Sequence, residues 1–138
     1  MPCLPIDYDA LAAVSSTHDP SKPIYMLNLW KYRPSAVYAS EHAALAGQPC
    51  TGREAMDRYI TALRPLLPQG VGRIFRSVPI ASVIAPKGEE WDLVAINRYP
   101  TLEGFREMLE SREYRERALP HREAGLEECR LVMLDKME

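Results

Sequence analysis

The chain has 138 residues, 46% of them hydrophobic and 26% charged, enough for one domain with a substantial core. Its 17 basic and 19 acidic residues leave a formal net charge of −2, which argues against a nucleic-acid or membrane-surface protein held by counterion release. Three widely separated cysteines, Cys3, Cys50 and Cys129, have no CxxC spacing; they predict free thiols in a reducing, cytoplasmic setting, not a disulfide framework or a zinc knuckle.

No apolar run approaches the ~20 residues of a membrane span. Asp7 and Asp9 fall where a signal peptide needs an unbroken apolar core. Residues 1–6 read as a loose arm. Asp7 can cap a short helix over Tyr8–Ser16, which Asp19-Pro20-Ser21-Lys22-Pro23 breaks. Residues 1–22 are thus an arm and helix ahead of the main fold. The first strand spans Ile24–Tyr32. Side chains alternate along a strand, so Ile24, Met26 and Trp30 point one way and Tyr25, Leu27 and Leu29 the other. A strand apolar on both faces needs cover on both. Asn28 in its middle must find partners, at a cost of roughly 1–3 kcal/mol otherwise, or face a polar pocket.

Arg33-Pro34 ends that strand. Residues 33–50 read as a helical insert, with an alanine-rich helix over Ala36–Ala46 closed by Gly47, which could fold over a pocket as a lid. Thr51-Gly52-Arg53-Glu54 is a capping box, followed by Met56, Tyr59, Ile60, Leu63 and Leu67 at helical spacing. A second strand is predicted from Gly72 to Ala85, with Pro79 marking an edge or a bulge. A hairpin loop over 86–90 leads to a third strand, Trp91–Tyr99, which carries Asn97. Thr101 caps a helix with Leu102, Phe105 and Leu109 on one stripe. Ser111 restarts a turn bearing Tyr114, Pro120 opens a third helical piece to Glu127 or Glu128, and a last strand runs Arg130–Lys136.

The order β-α-β-β-α-β, with an extra N-terminal helix, is the α+β, ferredoxin-like split βαβ arrangement over 1–138. Its two main helices cover one sheet face. The doubly apolar first strand therefore predicts a homodimer in which two sheets pack face to face.

Several residues could carry chemistry. Asn28 shares a face with Trp30, and Asn97 with Tyr99. Amides and rings along sheet faces suit a pocket for a flat, oxygenated molecule, and would equally serve a satisfied core or a dimer seam. Tyr59 and Tyr114 fall on inward helix positions, where a phenol could donate to a substrate oxygen or simply pack. His121 could act as a general base beside Arg122, which could hold an enolate or carboxylate. The plainer reading is a surface turn among Glu123, Glu127 and Glu128. His42 enters a pocket only if the insert folds over one. Three histidines without HxH or HxxxH spacing predict no metal site. The absence of GxGxxG, P-loop, GxSxG and HExxH patterns leaves nicotinamide, flavin and ATP unsupported, so no cofactor is expected. Asp92 and Arg98, of one parity, could form an ion pair.

With these elements placed, the chain resembles uncharacterised-domain family 1330 of the dimeric α+β barrel superfamily. The resemblance rests on Met26-Leu27-Asn28-Leu29-Trp30-Lys31-Tyr32-Arg33, Tyr59, Pro65-Leu66-Leu67, Gly70 and Gly72. It continues through Trp91-Asp92-Leu93-Val94, Arg98-Tyr99-Pro100, Phe105, Tyr114, Arg122, Leu126 and Leu131. It implies the dimeric barrel fold and a site between sheet and helices of one protomer. It also implies kinship with cofactor-free monooxygenases, isomerases, polyketide cyclases and haem-handling enzymes, with Asn28 similar to a first-strand asparagine of small monooxygenases. Two functions are expected from residues and resemblance together. One is a cofactor-independent acid/base enzyme on an aromatic, polyketide-like or keto-acid substrate; the other is a non-catalytic dimeric ligand-binding or accessory protein.

Overall fold

The alternation in the first strand decides the architecture. In the computed structural model, which describes residues 3–137, β1 (Ile24–Tyr32) is buried at every second residue. It pairs antiparallel with β3 (Leu93–Tyr99) on one side and β4 (Leu126–Leu134) on the other. β2 (Gly72–Ser77) lies outside β3, so the antiparallel sheet has the order β2-β3-β1-β4. With helices on one face this is an α+β arrangement similar to ferredoxin-like proteins.

Local signals explain most of the helices. The Asp7 side chain accepts from the Ala10 amide and starts α1 (Tyr8–Ser15). After the short α2 (Ala43–Ala46), the expected capping box opens α3 (Gly52–Leu63): Thr51 accepts from the Glu54 amide and Glu54 from the Thr51 amide. Thr101 accepts from the Gly104 amide and opens α4 (Leu102–Glu110). A π-helical turn, Tyr114–Ala118, then leads into α5 (Leu119–Gly125).

Three boundaries differ most from expectation. β2 stops at Ser77, not Ala85, because Pro79 has no amide to continue the ladder. The following loop is apolar and open: Val78, Ile80, Val83 and Ile84 are all exposed. β4 begins at Leu126 rather than Arg130. It is an edge strand, where acidic side chains can reach water, and Glu127 pairs there with Lys31 at 3.2 Å. The insert is not one helix over Ala36–Ala46. Its first amides are drawn elsewhere, Ala36 to the Cys50 carbonyl and Val37 to the Ala124 carbonyl. Only a 3₁₀ turn, Ser40–His42, and α2 remain helical.

α3 and α5 meet backbone to backbone. Arg33 links them: its amide donates to the Gly125 carbonyl at 2.8 Å, and its carbonyl accepts from the Gly52 amide at 3.1 Å. A Cβ on Gly125 would stand 2.7 Å from the Gly52 carbonyl oxygen, so both positions need glycine. Because α3 carries Tyr59 and α5 carries Arg122, this joint fixes how closely those two side chains approach.

The sheet has two unlike faces. Ile24, Met26, Asn28 and Trp30 are buried under the helices with Leu93, Ala95 and Tyr99. The opposite face presents Tyr25, Leu27, Leu29, Val94 and Ile96, partly exposed, beside exposed Phe75 and Val132. Among the described residues no helix is long and apolar enough to cross a membrane.

Candidate functional site

Register gathers the amides and rings singled out above. Asn28 lies opposite Ala95, Trp30 opposite Leu93, Asn97 opposite Met26 and Tyr99 opposite Ile24, all on the helix-covered face. Between that face and α3, α4 and α5 is a cavity of about 250 Å³. Asn28, Trp30, Asn97 and Tyr99 line it from the sheet; Tyr59, Tyr114 and Arg122 line it from the helices. Seven of the nine residues expected from sequence are thus brought together; His121 and His42 are not among them.

Tyr59 and Tyr114 are hydroxyl to hydroxyl at 3.0 Å, with rings edge to face. One phenol donates to the other, which leaves one hydroxyl proton for a ligand. Burial holds the Tyr114 phenol well above its ordinary value and also raises Tyr99, so both are neutral donors at ordinary pH. The Asn28 amide has only a long contact, 3.4 Å, to the Met26 carbonyl.

Arg122 dominates the electrostatics. It is 8% exposed. Its guanidinium carbon lies 5.6 Å from the Trp30 ring centroid and 5.5 Å from that of Tyr59. No carboxylate among the described residues pairs with it. Burial works to lower its pKa, but the Tyr59 and Tyr114 oxygens and the Cys129 sulfur outweigh burial, and the group stays charged. Burying such a charge costs several kcal/mol; each stacked ring returns about 2 kcal/mol when desolvated. Trp30 adds an unmet donor: its buried Nε1–H has no acceptor.

A second cavity, of about 420 Å³, adjoins the first under the N-terminal arm. Leu4, Pro5 and Ile6 roof it, Cys129 lines it, and Arg122, Tyr114 and Met26 belong to both cavities. Cys3 and Cys129, distant in sequence, meet here. Proximity to Cys3 and the charges of Arg122 and Arg130 draw the Cys129 thiol below its ordinary value, and Cys3, whose Sγ donates to the Leu126 carbonyl, is pushed up in exchange.

Comparison with solved structures identifies a relative. The crystal structure of RPA0582, a protein of unknown function from Rhodopseudomonas palustris, is 30% identical, with a TM-score of 0.83 over 100% of this chain and 99% of that one. Its methylated form aligns at 32% identity and a TM-score of 0.82, over 97% of this chain and 94% of that one. The chain belongs to the RPA0582 family. That relationship brings the fold and no reaction. A looser likeness, 14% identical with a TM-score of 0.49, is to a dimeric protein of unknown function and ferredoxin-like fold from Bacteroides fragilis, over 83% of this chain and 96% of that one. No family model matches the chain, so the resemblance to family 1330 has none behind it, and no curated protein matches.

In this member of the RPA0582 family, His121 is neither a surface group nor a cavity residue. It is buried against the insert, and its Nδ1 lies 2.6 Å from the Tyr38 hydroxyl. Arg58 donates to that hydroxyl and to the Ala46 and Gln48 carbonyls, which fastens the insert to α3 and α5. No residue of 33–50 lines either cavity; His42 sits partly exposed at the end of the 3₁₀ turn. His121 is next to Arg122 in sequence, but consecutive helical residues point about 100° apart, so Arg122 enters the cavity and His121 meets the insert. Asp92 accepts from the Tyr32 amide and pairs with no cation among the described residues, so the expected ion pair with Arg98 is absent. Sequence reasoning also missed Arg73 and Arg76 of β2: strict alternation puts them on opposite faces, and only the register shift between Arg73 and Phe75 brings both to the cavity.

Burial, then the Arg58 charge, lowers the His121 pKa below 6.5. The unfolded chain takes up a proton there that the folded imidazole refuses, so His121 contributes stability present above about pH 6.5 and lost as pH falls. Wild type should lose more unfolding stability between about pH 7 and pH 5 than His121→Gln, measured by urea titration. Equal losses would show that the imidazole is not held neutral.

Proposed function

We propose that this protein binds a small oxygenated molecule between its sheet and helices and acts on it by acid/base chemistry without a cofactor. The reading covers isomerase, cyclase or monooxygenase-type steps on an aromatic, polyketide-like or keto-acid substrate. The observation that carries it is one unmet donor and one buried charge on the same cavity wall: the Trp30 Nε1–H has no acceptor, and the Arg122 guanidinium has no carboxylate partner among the described residues. A native fold seldom leaves buried donors unmet. An enolate or carboxylate oxygen would accept from the Trp30 donor and balance the Arg122 charge.

The chemistry follows from what lies beside them. Arg122 and Trp30 stabilise negative charge as it develops on a substrate oxygen. The Tyr59–Tyr114 pair supplies a proton to that oxygen, and Asn28 and Asn97 orient the body. The proton leaving carbon needs an acceptor. With His121 turned to the insert, the Cys129 thiol, which lines the adjoining cavity beside Arg122 and is drawn toward its thiolate, takes that role. One fact favours the alternative of a non-catalytic binding protein: the larger set of cavity side chains contains donors but no carboxylate and no histidine.

The assembly belongs to the same reading. A second copy covers the apolar outer face, sheet against sheet, in a dimeric α+β barrel. The half-exposed Tyr25, Leu27, Leu29, Val94 and Ile96 support this, because such a patch is costly to leave in water. The free thiols of all three cysteines support a reducing, cytoplasmic setting.

Phenylpyruvate, an aromatic keto acid, tests the chemistry. Wild type should bind it and speed exchange of its methylene protons for deuterium, followed by NMR. Arg122→Met should weaken binding by at least about tenfold. Tyr114→Phe and Cys129→Ala should keep binding and slow exchange by about a hundredfold. Binding without exchange would favour the binding protein; no binding would sink the site. For the assembly, light scattering should give a dimer that Leu27→Glu splits into folded monomers, and a wild-type monomer at high concentration would refute it.

A further inference from the structure

The charge lining the cavity has one sign. Four arginines border it, Arg64, Arg73, Arg76 and Arg122, and no aspartate, glutamate or lysine does. The chain as a whole has more acidic than basic residues, so this segregation is local. Arg122 sits at the deep end. The other three are exposed and stand at the mouth. Two walls supply them: Arg73 lies opposite Asn97 and Arg76 opposite Ala95 on β2, while Arg64 begins the turn after α3. None of the three is ion-paired among the described residues. A cleft lined by one sign of charge, with apolar walls, concentrates ions of the other sign.

The deep and outer positions are separate. Arg122 stacks on Trp30 of β1, and Arg73 and Arg76 rise from β2, two strand positions away in the order β2-β3-β1. At about 4.8 Å per strand that is roughly 10 Å of sheet. The wall between is aromatic and apolar, from Tyr99, Leu93 and Phe105.

We infer that the ligand is an elongated dianion, with one acidic oxygen group against Arg122, a flat apolar body along the sheet, and a second carboxylate or phosphate held by Arg64, Arg73 and Arg76. This rests on the cavity being the binding site proposed above and adds the class of molecule that fills it. A single acid would leave the three arginines at the mouth without a counter-charge.

Three probes and two variants separate the cases by isothermal titration at low and high salt. The probes are a naphthoate, the naphthalene dicarboxylate with acid groups at opposite ends, and the naphthoate bearing a phosphate at the far end. The dicarboxylate or the phosphate should bind at least about tenfold more tightly than the naphthoate. The double change Arg73→Gln, Arg76→Gln should remove that gain and leave the naphthoate unaffected; these side chains are exposed, so the fold should tolerate the change. Added salt should erode the same gain. A stronger gain with phosphate than with dicarboxylate identifies a phosphate end; the reverse identifies a carboxylate. If the naphthoate binds through Arg122, as its loss in Arg122→Met would show, yet the second acid adds nothing, the dianion is overturned and the site stands. If no probe binds, the site reading falls and the dianion with it.

Discussion

A guanidinium held out of water with no carboxylate to meet it is the constraint on which the rest of this structure turns. Arg122 is placed by α5, and α5 is placed by the contact of Gly125 with Gly52 that leaves no room for a side chain. Trp30 and Tyr59 close on it from β1 and α3. Tyr59 in turn meets Tyr114, and Tyr114 depends on a π-helical turn that re-aims the chain between α4 and α5. Each of these features is unusual on its own, and together they surround one charge. Ring stacking offsets part of the desolvation, and the Cys129 sulfur, drawn toward its thiolate, offsets another part. The remainder, with the unmet Trp30 donor, is what a bound oxyanion would supply.

Much of this was legible in the sequence because strands alternate. The parity of Ile24, Met26, Asn28 and Trp30, read against that of Asn97 and Tyr99, required only a register to become one wall, and the register is set by which face is apolar. The capping box at Thr51 and the Asp7 cap were equally readable, since both depend on neighbours within three residues. What could not be read depended on distance. Cys3 and Cys129 lie at opposite ends of the chain, and nothing in either neighbourhood announces the other. His121 was placed beside Arg122 by adjacency, yet consecutive residues on a helix point about 100° apart. One faces the cavity and the other faces Tyr38. The end of β2 was hidden for a different reason: the residues after Ser77 are as strand-like as those before it, and only the missing amide of Pro79 distinguishes them.

The two faces of the sheet divide the labour. The inner face is polar at chosen points, with Asn28 and Asn97 among aromatic rings, and it borders a space with arginine at both ends. The outer face carries Leu27, Leu29, Val94 and Ile96, which stay partly exposed. A site that needs a rigid floor gains from such an arrangement, because covering the outer face with a second sheet would stiffen the strands that hold Asn28 and Trp30. The insert over 33–50 adds to that rigidity from the far side, through the Tyr38, Arg58 and His121 contacts, without approaching the ligand space.

The stability of ligand-free Arg122→Met, compared with wild type by urea unfolding, tests the central claim most directly. Methionine keeps much of the volume and removes the charge. If the guanidinium is undercompensated until an anion arrives, the variant should be as stable as wild type or more so, within about 1 kcal/mol. A loss of about 3–5 kcal/mol would mean that the charge is already satisfied inside the protein as a structural brace, and would contradict the account.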